Sequence, residues 1–166
     1  MSYKEQWIFE LLAQHQVAQT FKNKSMKIKI KKLHSGAVIP KYAKQGDAGL
    51  DLTAVSMVTD DTGCVVYGTG LAVEIPEGYV GLLFTRSSNA KTNMYLTNHV
   101  GVIDSGYRGE IMLKYKPIDT YGINIYEVGD RVGQLLVLPY PQVQFEEVEE
   151  LSQTQRGAGG FGSSGN

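Results

Sequence analysis

Hydrophobic positions recur at helical spacing near the start of the chain and at a period of two beyond it. Ile8, Leu11, Leu12 and His15 fall at i, i+3, i+4 and i+7, with Trp7 beside them, so residues 3–21 are predicted to form a helix. Asn23-Lys24-Ser25 ends that pattern. Met26, Ile28 and Ile30 then alternate with lysines, which predicts a half-exposed strand. Similar short runs follow at 71–75, 80–84, 110–115 and 132–138, with a weaker one from Val143 to Val148. Turn signals separate them: Gly46-Asp47, Asp61-Thr-Gly63, Pro76-Glu-Gly78, Asp104-Ser-Gly106 and Val128-Gly-Asp130. Many short strands at fairly even spacing, with no internal repeat and no heptad, predict an all-β body, either a sandwich or a closed barrel. The helix is an appendage to it.

Composition narrows the function classes. At 166 residues, one domain with a real core is expected. Sixteen basic residues against 17 acidic ones leave no basic excess, which argues against nucleic acid as a partner. No apolar run reaches the 18 or more residues of a membrane span and no signal peptide is read, so no membrane association is expected. Cys64 is the one cysteine, which excludes an intramolecular disulfide and a multi-cysteine metal site, and a reducing, cytoplasmic setting is expected.

Five glycine-marked islands interrupt the apolar runs with polar residues. The first is Asp47-Ala-Gly-Leu-Asp-Leu-Thr-Ala54, where Asp51 stands between Leu50 and Leu52 as an exposed strand residue or a ligand-binding carboxylate. The second is Thr85-Arg-Ser-Ser88. Ser87 or Ser88 could cap a short helical turn, or the segment could offer hydroxyls, N–H groups and the Arg86 guanidinium to a phosphate. The third runs from Asn98 to Glu110. Its Asp104-Ser-Gly106 reads as a hairpin tip with Gly106 free to take positive φ, where Asp104 is either a plain turn residue or a base holding a water. His99 there reads as structural, since no second His or Cys has ligand spacing around it. The fourth, Gly129-Asp-Arg-Val-Gly-Gln134, places Arg131 and Gln134 as a buried polar pair or as ligand-binding groups. The fifth is the tail from Arg156 to Asn166, a linker-like end that also carries one cation and one aromatic ring.

Two nucleotide-binding motifs are excluded. Gly157, Gly159 and Gly162 spell G-x-G-x-x-G, but no strand, helix and acidic residue about 20 positions on frame it. No G-x-x-x-x-G-K-[ST] occurs, so the chain is not a P-loop nucleotidase. Carboxylates interleaved with phosphate clamps and an Arg/Phe tail instead suggest a polyphosphate carrying a flat base, with a divalent cation.

In this order the islands resemble the five signature motifs of the homotrimeric dUTPase family, across about Met26 to Asn166. The resemblance implies a jelly-roll-like β-barrel with an added N-terminal helix, divided into an extension (1–25), a barrel core (26–151) and a glycine-rich C-terminal lid (152–166). It implies a homotrimer whose active sites are shared between subunits. The reaction is Mg²⁺-assisted hydrolysis of dUTP to dUMP and pyrophosphate, which limits uracil in DNA and supplies thymidylate synthesis. Asp104 would activate the attacking water, and Asp51 would hold Mg²⁺ through water. Arg86, Ser87, Ser88 and Gln134 would contact the phosphates, with Arg131 supporting them from behind.

Uracil would be read by Asn98 and the main chain of Gly101, Val102 and Ile103, a site of fixed hydrogen-bonding groups that rejects mismatched bases. Tyr107 would exclude a 2′-hydroxyl, and Met112 would line the site. Arg156, Phe161, Gly162 and Ser163 would close over bound substrate, Phe161 stacking on the base and Arg156 with Ser163 holding the γ-phosphate. Asn89 departs from the family pattern, standing where many relatives carry an apolar residue. A dCTP deaminase shares the fold and the Arg-Ser-Ser segment, but Asp104-Ser-Gly-Tyr-Arg-Gly and the full tail favour dUTP hydrolysis. A nucleotide sensor or protein-binding regulator using helix 3–21 is the rival from another class.

Overall fold

The computed structural model describes residues 26–118 and 124–160; the predicted helix 3–21, Phe161, Gly162 and Ser163 lie outside the described residues. Ten strands make up the body: β1 (Lys29–Lys32), β2 (Leu50–Thr53), β3 (Ser56–Thr59), β4 (Val65–Gly68), β5 (Leu71–Glu74), β6 (Tyr79–Phe84), β7 (Met94–Leu96), β8 (Gly101–Ile103), β9 (Met112–Pro117) and β10 (Arg131–Pro139). Among the described residues the one helical element is a 3₁₀ turn, Ser87–Lys91. The all-β expectation therefore holds for the body.

Antiparallel pairing gives two four-stranded sheets, ordered β2-β10-β6-β8 and β3-β4-β9-β7, and a two-stranded sheet β1-β5. Among the described residues no ladder joins the two larger sheets, so they form an open sandwich of jelly-roll type and not a closed barrel. Short strands explain the difference, because the chain changes sheets at bends where a closed barrel would carry the ladder on. At one such bend the Ala54 N–H donates to the Asp130 carbonyl beside β10, while the next N–H, of Val55, donates to Gly68 at the end of β4.

Alternation places the core between the sheets. In β9, Leu113 and Tyr115 are buried while Met112 and Lys114 point outward. Three tyrosines pack edge-on at the centre, with Tyr67–Tyr115, Tyr67–Tyr126 and Tyr115–Tyr126 centroids at 5.8, 6.0 and 5.8 Å. Two of their hydroxyls stay bonded in the interior: Tyr67 donates to the Tyr126 carbonyl at 2.8 Å and Tyr115 to that of Val132 at 2.6 Å. Burial pushes the Tyr67 hydroxyl up to about 12 and also raises those of Tyr115 and Tyr126.

Two strand expectations change. The first strand starts at Lys29, later than Met26, although Ile28 and Ile30 do pack against the core. Val143 to Val148 forms no strand, and Phe145 in its middle is 97% exposed. Its apolar residues find nothing to pack against within the described chain.

Candidate active site

Register brings the first, second and fourth islands together. Gln134 on β10 pairs with Asp51 on β2 on one side and with Phe84 on β6 on the other. The segment after Phe84 therefore carries Thr85, Arg86 and Ser87 to the same end of the sheet. Asp51, Thr85, Arg86, Ser87, Arg131 and Gln134 line a cleft of about 650 Å³ there.

Asp51 is its electrostatic centre. One carboxylate oxygen accepts from Arg86 Nε at 2.8 Å and the other from an Arg131 terminal nitrogen at 2.9 Å. Its side chain is 21% exposed, so Asp51 is a half-buried ion-pair partner and not an ordinary exposed strand residue. One carboxylate between two guanidiniums leaves this trio with one net positive charge, suited to a phosphate. Arg86 also donates through Nη1 to Ser88 Oγ at 3.1 Å, which leaves further N–H groups of the fork for a ligand.

Several local expectations are corrected. Arg131 and Gln134 are not a buried pair. The Arg131 side chain is 54% exposed and turned to Asp51, while Gln134 Nε2 donates to the Thr85 carbonyl at 2.9 Å. Gly49 makes room for that glutamine, since a Cβ there would overlap its side-chain oxygen. Neither serine caps the 3₁₀ turn: Arg86 occupies the N-cap with no side-chain capping bond, Ser87 is exposed on the cleft, and Ser88 accepts from Arg86.

The third island builds a second, separate place. β8 pairs with β6 and forms the edge of its sheet, with Gly101 and Ile103 inward and Val102 62% exposed. Asp104 follows as an exposed residue, with Val102, Ser105, Tyr79 and Tyr140 around a smaller cleft of about 330 Å³. The turn is not a hairpin tip. β8 and β9 belong to different sheets, and the segment between them crosses the sandwich.

Gly106 does not adopt positive φ, and the turn is held by the Tyr107 N–H donating to the Asp104 carbonyl at 3.1 Å. Arg108 braces it, donating to the carbonyls of Ser105 and Tyr107 at 2.6 and 2.8 Å. Tyr107 folds over Gly109, where a side chain would collide with its ring, and donates to the Glu110 carbonyl at 2.9 Å. Asn98 is exposed in the turn before β8, where His99 takes φ 59° and its ring sits edge-on to Tyr95. Met112 is exposed on the outer face of β9.

β2 and β8 are opposite edges of one four-stranded sheet. Three interstrand spacings put them roughly 14 Å apart. A single chain thus separates Asp51 from Asp104. Arg156 lies in a third place, on a turn of its own, where its Nε donates to the Gly159 carbonyl at 3.0 Å.

Among the described residues, no three His, Cys, Asp or Glu side chains converge on a possible metal position. Asp51, with both oxygens taken by arginines, fits a cation that arrives with its own phosphate ligands better than one caged by protein. Among the described residues, no helix is long and apolar enough to cross a membrane. Thr85, in the second island, lends its carbonyl to Gln134, while Tyr126, which reaches Asn89 beside the site, was not legible from spacing. Tyr126 is 37 positions from its Asn89 partner, and no motif links them.

Comparison with known proteins places this geometry. Residues 35–165 match the dUTPase family model. The deoxyuridine 5'-triphosphate nucleotidohydrolase of Nocardia farcinica is 44% identical over 140 residues, covering 83% of this chain and 85% of that protein. A mutant dUTPase of Staphylococcus bacteriophage 80alpha with dUpNHpp gives a TM-score of 0.73 at 29% identity, over 86% of this chain and 100% of that one. A mutant dUTPase of phage phi11 of S. aureus, described for its coordination of a structural Mg(II) ion, gives 0.64 at 27% identity, over 75% of this chain and 98% of that one.

Proposed function

This chain belongs to the dUTPase family, and from that premise we propose that it hydrolyses dUTP to dUMP and pyrophosphate in active sites completed by three copies. Its activity is that of a dUTP diphosphatase. The observation that carries the shared site is the separation of its parts: a phosphate-suited cleft around Asp51, Arg86 and Gln134, and a carboxylate, Asp104, at the opposite edge of the same sheet. Each place supplies what the other lacks. The apolar side chains exposed along the C-terminal segment, including Phe145 and Leu151, favour a partner surface that burial in a trimer would supply.

In this reading the free N–H groups of Arg86, the Ser87 hydroxyl and Gln134 bind the phosphates of dUTP. Ser87 lies near the bridge that breaks. Asp104 of a neighbouring copy orients a water and accepts its proton as the oxygen attacks the α-phosphorus in line, and pyrophosphate leaves. A positioned base supplies about 10²–10⁴-fold; alignment and charge stabilisation by the clamp supply the rest. Mg²⁺ held by the triphosphate would neutralise phosphate charge, with Asp51 meeting its water shell. The open edge of β8 at Gly101–Ile103 and Asn98 would read uracil, Tyr107 would exclude the 2′-hydroxyl, and Met112 would line the site. Residues 152–166, including Arg156, Phe161, Gly162 and Ser163, would close it as a lid, while residues 1–25 form a separate extension to the core at 26–151. The setting is cytoplasmic, where the activity keeps uracil out of DNA and supplies dUMP.

The test is pyrophosphate release from each dNTP and from UTP with Mg²⁺, together with the mass in solution. Release from dUTP alone, by an assembly of about 55 kDa, three copies of an 18.3 kDa chain, is expected. Ammonia release from dCTP would overturn the assignment.

A further inference from the structure

The phosphate clamp hangs on a short turn held to the rest of the chain by a few side chains. Ser87–Lys91 is a single 3₁₀ turn without a side-chain cap, and none of its residues is buried. Beyond its own backbone bonds, from Asn89 N–H to the Arg86 carbonyl and from Thr92 N–H to the Asn89 carbonyl, the turn is tied to its surroundings through the Asn89 side chain and the segment Asn124–Tyr126. Asn89 Nδ2 donates to the Met94 carbonyl at 2.9 Å, while its Oδ1 accepts from the Thr92 hydroxyl at 3.1 Å and from the Tyr126 hydroxyl at 3.3 Å. Asn124 Nδ2 donates to the Lys91 carbonyl at 2.6 Å at the far end of the turn.

Tyr126 is itself fixed. Its ring is edge-on to Tyr67 and Tyr115, and its carbonyl accepts from the Tyr67 hydroxyl. A set of contacts thus runs from the rigid aromatic core through Tyr126 to Asn89 in the turn, and from Ser88, next to it in the same turn, to Arg86 and on to Asp51.

We propose that Tyr126 and Asn89 are positioning residues for phosphoryl hydrolysis, which set the angle of Ser88 and thereby aim the Arg86 guanidinium across the cleft. The proposal rests on the reading of that cleft as the phosphate site. Neither side chain lines the cleft, so both act through Ser88 and the turn. The polar residue at position 89, an anomaly in the sequence pattern, is on this account what ties the turn to Tyr126. A clamp displaced by a fraction of an ångström still binds anions but aligns them poorly, so the loss should fall on kcat more than on KM.

Tyr126→Phe removes only the hydroxyl and keeps the aromatic packing. We expect kcat per dUpNHpp-binding site to fall about 10-fold with KM within about twofold. Asn89→Ala should lose more. Asn89→Asp, which keeps the acceptor facing Thr92 and Tyr126, should recover most of the rate. The decisive readout is coupling: with Ser88→Ala already present, adding Tyr126→Phe should cost nothing further. Wild-type kcat and KM in Tyr126→Phe, or independent, multiplying losses in the double variant, would overturn the proposal while leaving the hydrolase assignment intact. A wild-type chain that releases no pyrophosphate from dUTP would overturn that assignment and the proposal with it.

Discussion

The cleft around Asp51 and the segment from Pro141 to Gly160 are built on opposite principles. In the cleft, strand register and ion pairs fix each side chain before any ligand arrives: Gln134 is bonded to Thr85, and Asp51 holds two arginines. The C-terminal segment has no strand, exposes Phe145 and Leu151, and bends Arg156 back on its own turn. One region is finished within the chain. The other exposes its large apolar side chains, and on the proposed reading both it and Asp104 at the far edge of the sheet depend on a neighbouring copy. On that reading, preorganisation serves the phosphates while the chemical step waits for assembly.

The largest effect is expected where the two principles meet. Asp104→Asn should keep dUpNHpp binding, because the clamp lies elsewhere, and lower kcat by about 10²–10⁴-fold. Calorimetric binding alongside pyrophosphate release checks this, and normal turnover would remove Asp104 from the role of base. A chain ending at Gln155 should lose about 10²-fold in rate, comparable to the removal of a charge-stabilising donor, with its mass in solution unchanged. Full activity would return the tail to the status of a linker.

A gentler probe separates core from clamp by pH. Burial holds the Tyr67 hydroxyl protonated up to about 12, above its ordinary value near 10. A raised folded value means stability that is fully present below pH about 10 and is lost as pH climbs toward 12. Asp60 has the opposite sign. Lys114, then Thr62 and Cys64, hold its carboxyl well below the usual range, so its contribution is present at neutral pH and fades in acid. Melting curves from pH 9 to 12 should show a steeper fall in wild type than in Tyr67→Phe. Parallel curves would show that this hydroxyl is not what titrates.

What the sequence revealed depended on whether a residue's partner lay within its own pattern. β6, β9 and most of β10 were legible because their alternation faces the core of the same chain, and β5 because its apolar run is buried throughout. β3 was not, since all four of its residues are exposed and leave no alternation to read. The run from Val143 to Val148 misled for the converse reason: it has strand-like apolar spacing but no sheet within the described chain to join. The islands marked residues that the structure brings to one cleft, yet Asp51 meets Arg86 across 35 positions and Arg131 across 80, pairings that no local spacing encodes. Asn89 shows the same limit, because its misfit in the pattern resolves only once Tyr126 is seen beside it.

Subunit complementation tests the shared site most directly. Arg86→Ala disables the clamp and Asp104→Asn the base, and each variant alone should be nearly inactive. If every site takes Arg86 from one copy and Asp104 from another, trimers reassembled from an equal mixture should recover about a quarter of wild-type turnover per site. No recovery in mixed assemblies whose composition is confirmed by native mass spectrometry would contradict the account, placing clamp and base in the same chain.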